Sequence, residues 1–71
     1  MAMTREELEA LRDSQEERVF TARWKKRGAP YSEGCRGVVE TVGSPADSNV
    51  VIVRDTAGKR HRWNIQHLSV N

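Results

Sequence analysis

One cysteine, Cys35, and two histidines, His61 and His67, are the residues in this 71-residue chain from which a zinc site or a nucleophile and base pair would have to be built. Their spacing fits neither chemistry. No CxxC or HxxxH pattern is present, and the sequence places no carboxylate beside either histidine. Arg36 follows Cys35 and would favour its thiolate, although a lone loop cysteine is ordinarily inert. The glycines between 28 and 37 lack Walker spacing and are followed by no Lys-Ser or Lys-Thr pair, which speaks against a nucleotide cradle. Neither an enzyme, a metal nor a cofactor is expected.

A different chemistry is written in the cations. Arg23, Lys25, Lys26 and Arg27 flank Trp24, and positive charge beside an aromatic ring suits phosphate contact with base stacking. Arg60 and Arg62 stand ahead of Trp63, and Arg36 is a further contributor to a basic patch. The net charge is only +2, yet its distribution is uneven: residues 1–17 balance to −4, residues 18–36 to +5 and residues 37–71 to +1. The competing reading is a Trp24 in the core with the cations solvating a surface that offsets the acidic segment.

These residues need elements to hold them. "TREELEALRDSQEER" predicts a helix, with Thr4 and Glu7 spaced for a capping box and acids at the positive end of the dipole. Its apolar stripe, Leu8 and Leu11 continued by Gln15 and Val19, is narrow. "VFTARWKK" alternates Phe20, Ala22 and Trp24 against Thr21, Arg23 and Lys25, which reads as a strand; a continued helix is the rival, since Phe20 and Trp24 are also four apart. "GAPYSEGCRG" reads as a long loop with Tyr31 at its tip, "GVVETV" as a strand and "GSPADSN" as a second loop. "VVIVRD" and "RHRWNI" form a hairpin about "TAG". A two-residue turn at Ala57-Gly58 would set Ile52 opposite Trp63 in the core and turn Val51, Val53, Arg60 and Arg62 outward. "QHL" reads as one tight turn before a last strand, "LSV".

"GVVETV", "NVVIVRDTAGK" and "WNIQHLSV", the last with its turn before a closing leucine and valine, resemble an SH3-like small barrel of the KOW or Tudor type over residues 19–71. The resemblance implies an α+β, mostly β fold: an acidic N-terminal helix over residues 1–18, then a five-stranded barrel over 19–71. It also implies non-enzymatic binding, to nucleic acid, proteins or modified side chains. With Phe20, Trp24, Tyr31 and Trp63 as the only Phe, Tyr and Trp residues, a methyl-lysine cage is hard to assemble. The Val-Gln-Ile-Tyr signature of the barrel-type plasmid dihydrofolate reductases is absent.

Two functions follow as expectations. The first is a small DNA- or RNA-binding accessory or regulatory protein, with Arg23, Trp24, Lys25, Lys26, Arg27, Arg60 and Arg62 on one phosphate-binding surface. The second is a protein-interaction module, self-associating or docking on a larger assembly through Leu8 and Leu11 of the acidic helix, with Tyr31 as a loop anchor. In either case the helix is expected to be dispensable for folding, and no apolar run is long enough for a signal or membrane segment, so a cytoplasmic setting is expected.

Overall fold

A computed structural model describes residues 3–43 and 49–71. Residues 44–48, most of the second expected loop, lie outside the described residues. The chain runs α1 (Arg5–Ser14), β1 (Arg18–Lys26), β2 (Ala29–Val42), β3 (Val50–Asp55), β4 (Arg60–Asn64), a single 3-10 turn (Ile65–His67) and β5 (Leu68–Val70). The five strands form one antiparallel sheet in the order β4-β3-β2-β1-β5, so the fold is α+β and mostly β. Among the described residues no ladder joins β4 to β5, and the sheet stays open.

The helix begins where its cap dictates. Thr4 Oγ1 accepts from the Glu7 amide at 3.2 Å while Glu7 Oε1 accepts from the Thr4 amide at 3.2 Å, satisfying two donors that the first turn leaves without helical partners. It ends at Gln15 in the left-handed region, φ 55°, so the strand that follows starts afresh rather than continuing the helix. The Arg5 guanidinium donates to the Gly43 carbonyl, tying the first turn to the end of β2.

The helix is not an appendage. Leu8 is fully buried and Met3 is 6 % exposed, in one cluster with Phe20, Ala22, Val39, Val51, Val53, Trp63 and Leu68. The expectation that the helix has few apolar contacts to lose is therefore corrected: its stripe is narrow because one leucine, backed by Met3 and a half-buried Leu11, fills the gap over the sheet. A core of eleven buried apolar residues among those described has none to spare in so short a chain.

Residues 28–37 are the largest departure from expectation. The glycines and Pro30 predict a loop, but all of it from Ala29 on joins the expected strand at 37–42 in a single 14-residue strand, Ala29–Val42. The breakers are accommodated one by one. Lys26 pairs with Ala29 across a two-residue turn whose Arg27 and Gly28 both have positive φ, 54° and 79°, the geometry that matches strand twist. Pro30 then falls opposite Lys25 at the next, non-hydrogen-bonded site, where a missing N–H is harmless. Gly37 ends the ladder with β1, opposite Arg18, and begins the ladder with β3, opposite Asp55. A Cβ there would sit 2.1 Å from the Arg54 carbonyl oxygen, so only glycine lets two neighbouring strands approach at that point.

The β3–β4 hairpin forms as expected but one residue out of the expected register. Its turn has three residues, Thr56–Gly58, with Gly58 at φ 85°, and the Asp55 amide donates to the Lys59 carbonyl at 2.9 Å. The pairs are Val51 with Trp63, Ile52 with Arg62 and Val53 with His61. Trp63 is buried and Arg60 and Arg62 point out, as expected. On β3 the faces exchange: Val51 and Val53 are buried, and Ile52 lies half-buried on the outer side.

Candidate nucleic-acid interface

The alternation of β1 places Phe20 and Ala22 in the core and brings Trp24 out at the rim of the same face, half-buried. Register then sets Tyr31 directly opposite it on β2, with ring centroids 4.9 Å apart and planes inclined at 58°. His67, from the turn before β5, stacks on Trp24 at 6.1 Å and 22°. Lys26 Nζ lies 4.8 Å from the Tyr31 ring centroid, a cation held on an aromatic face. Tyr31 is therefore a strand residue in an aromatic cluster rather than the tip of a loop.

Hydrogen bonds carry the cluster across the inner face of the sheet. Glu33, opposite Ala22, accepts from Trp63 Nε1 at 2.9 Å through Oε1 and from the Tyr31 hydroxyl at 2.9 Å through Oε2. The indole N–H and then the phenol hold the Glu33 carboxyl below the usual carboxylate range, and the same carboxylate raises the Tyr31 hydroxyl. His61 stacks on Trp63 at 5.1 Å and 20°. Its Nε2 donates to Asp55 Oδ2 at 2.8 Å, while Asp55 Oδ1 accepts the Ala57 and Lys59 amides of the hairpin turn, each at 2.9 Å. The sequence places no carboxylate beside either histidine, and for His61 the β3–β4 hairpin overturns that by bringing Asp55 to it. Cys35, opposite Phe20, has its thiol raised by burial and by Asp55, the reverse of what neighbouring Arg36 suggests; Arg36 pairs instead with Glu17 at 2.9 Å. Among the described residues no three His, Cys, Asp or Glu side chains gather as metal ligands.

The network has a pH signature. The histidine N–H, ahead of the turn amides, holds the Asp55 carboxyl low, so the folded chain binds a proton there less readily than the unfolded chain does. Stability from this group is complete above the unfolded value, about 3.9, and declines as pH falls toward the lower folded value. Asp55→Asn keeps an acceptor for the turn but removes the charge. Melting temperature between pH 5 and pH 2.5 should fall less steeply in that variant; equal slopes would show that Asp55 is not the responsible carboxylate.

The cations divide into two groups. Arg5, Arg12, Arg18, Arg36 and Arg60 are paired with Glu9, Asp13, Glu16, Glu17 and Glu40 at 3.9, 3.1, 2.7, 2.9 and 2.7 Å. Glu40 reaches Arg60 from a β-bulge between Val39 and Thr41, which turns its carboxylate onto the hairpin; that contact lowers Glu40 and raises Arg60. Among the described residues Arg23, Lys25 and Arg27 make no ion pair, and with Lys26 they crowd the end of the β1–β2 hairpin. Among the described residues Arg54 and Arg62, at the other end of the sheet, make no ion pair either.

These two sets stand at different positions along β2. Arg23 faces Ser32 of β2, whereas Arg54 faces Val38. The six-residue offset, at about 3.3 Å per residue, places roughly 20 Å of strand between the sets, beyond a screening length of about 8 Å. Of the expected partner-binding residues, Leu8 is buried in the chain's own core and Leu11 is half-buried against it. Leu11, Met3 and Val70 line a groove of about 500 Å³ between α1 and β5, flanked by Glu7 and Glu16. No helix among the described residues is long and apolar enough to cross a membrane.

The fold and site define a small open-sheet α+β chain with a rigid aromatic and cationic hairpin end. Comparison with family models, with curated proteins and with solved structures gave no match.

Proposed function

We propose that the chain is a non-enzymatic nucleic-acid-binding accessory protein of the cytoplasm, and that the end of the β1–β2 hairpin is its contact surface. The observation that carries this reading is the placement of charge: among the described residues Arg23, Lys25 and Arg27 make no ion pair and stand beside the half-buried Trp24–Tyr31 pair, while Arg60 is committed to Glu40. Uncompensated cations lose nothing internal when they meet phosphate. The SH3-like resemblance of the strand order agrees with a binding role without specifying the ligand. No groove-reading helix is present among the described residues, so backbone contact and stacking dominate over base-edge recognition.

The test is a salt titration of oligonucleotide binding. Four hairpin cations on phosphates should give a slope of log affinity against log salt of about −3 to −4, depending on strand form. Changing Arg23, Lys25 and Arg27 together to Ala should flatten that slope by about 2 to 3, and Arg60→Ala should leave it nearly unchanged. Absence of binding at low salt, or an Arg60 effect as large as that of the triple variant, refutes the proposed surface.

A second reading is self-association, favoured by the groove between α1 and β5. Its apolar floor, with Glu7 beside it, would receive the basic hairpin end of a second copy, although Glu16 there is already paired with Arg18 of the same groove. Sedimentation at low salt should then show a dimer or larger species that dissociates as salt is added and is lost in the same triple variant. A monomer at every concentration retires this reading.

A further inference from the structure

We infer that the cleft at Trp24 and Tyr31 receives one unstacked nucleobase, so that the hairpin end selects single-stranded over duplex nucleic acid. The inference rests on the nucleic-acid reading and narrows it to a class of ligand. The cleft is about 310 Å³ and is lined by Arg23, Trp24, Pro30, Tyr31 and Ser32.

Its walls are flat and fixed. The two rings are cross-strand partners in contact, centroids 4.9 Å apart and planes inclined at 58°, so a base would pack against the pair from the cleft rather than between the rings. Tyr31 is anchored through its hydroxyl to Glu33 at 2.9 Å, and Trp24 is backed by His67. Pro30 is rigid by its own chemistry. Arg23 supplies donors for a phosphate or a base acceptor at the mouth, and Ser32 a hydroxyl. A duplex keeps its bases stacked and offers the cleft only edges and phosphates, whereas a single strand offers π-faces of any sequence. Lys25, Lys26 and Arg27 lie on the flanking positions where the neighbouring phosphates of a strand would run.

The experiment compares a 12-nucleotide single strand with the duplex of the same sequence, at one ionic strength, by fluorescence anisotropy and by tryptophan emission. The single strand should bind more tightly and quench emission, and the quenching should be lost in Trp24→Phe. Tyr31→Leu should weaken single-strand binding by about 5- to 100-fold, the usual effect of removing one stacking partner, and leave duplex binding unchanged; Tyr31→Phe should be nearly silent. Circular dichroism reports whether Tyr31→Leu is folded. Should that variant be unfolded, the Trp24→Phe quenching difference decides alone. Equal or tighter duplex binding, equal loss on both strand forms, or quenching that persists in Trp24→Phe overturns the cleft assignment while leaving the phosphate surface standing. No binding of either form at low salt removes both.

Discussion

Trp63→Ala should leave most of the chain unfolded at 25 °C. Trp63 is 5 % exposed, pairs with Val51 across the hairpin, stacks on His61 and donates its indole N–H to Glu33. Truncating a buried tryptophan costs about 3–5 kcal/mol, and a single small core seldom supplies more than about 3–5 kcal/mol in all. The loss is compounded on the polar side, since Glu33 would be left with the Tyr31 hydroxyl as its remaining side-chain donor. Trp63→Phe retains ring area and forfeits only the N–H, so its midpoint in urea should lie between those of the parent and the alanine variant. Equal midpoints for parent and Trp63→Ala would show that the inner face of the sheet is not the core.

Leu8→Ala should destabilise by about 2–5 kcal/mol, the range for a fully buried leucine, and deletion of residues 1–17 should abolish the dispersed amide spectrum of the folded chain. Leu8 has no exposed surface and lies among sheet residues, and Met3 and the Arg5 contact to Gly43 are lost with it. Leu11→Ala, at a half-buried position, should cost less. A truncated chain with native dispersion would return the helix to the status of a detachable arm. The ordering of Leu8 above Leu11 is a further check, because a helix that docks only on a partner would show no such asymmetry in the isolated protein.

The sequence was informative where local chemistry and tertiary structure agree. Thr4 and Glu7 announce their cap, and the alternation at Phe20, Ala22 and Trp24 marks β1 because its faces differ in polarity. It misled where long-range contact overrides local preference. Gly34 and Gly37 resemble loop residues in isolation; only the carbonyls of Phe20 and Arg54, from strands on either side, reveal them as points of close approach. The β3 register turned on whether Asp55 or Thr56 closes the hairpin. In a run of four β-branched residues neither face is marked, so polarity offered no correction. The aromatic cluster was legible only in part: Trp24 stood out beside its cations, whereas Tyr31, seven residues away, becomes its neighbour through a turn that the Arg27-Gly28 pair does not advertise.

That turn has a consequence for how charge is delivered. Arg27 holds a left-handed backbone, which asparagine or glycine would adopt more comfortably. The hairpin end thus accepts local strain in exchange for a guanidinium at its apex. A loop of two residues also has no slack. Lys25, Lys26 and Arg27 project from backbone already fixed by the β1–β2 ladder, so a bound polyanion need not order a floppy segment before meeting them. The surface therefore works as a stiff fork rather than a flexible tail. Its contacts should form and break quickly, with selectivity set by whether the ligand's phosphate spacing matches a geometry the protein does not adjust.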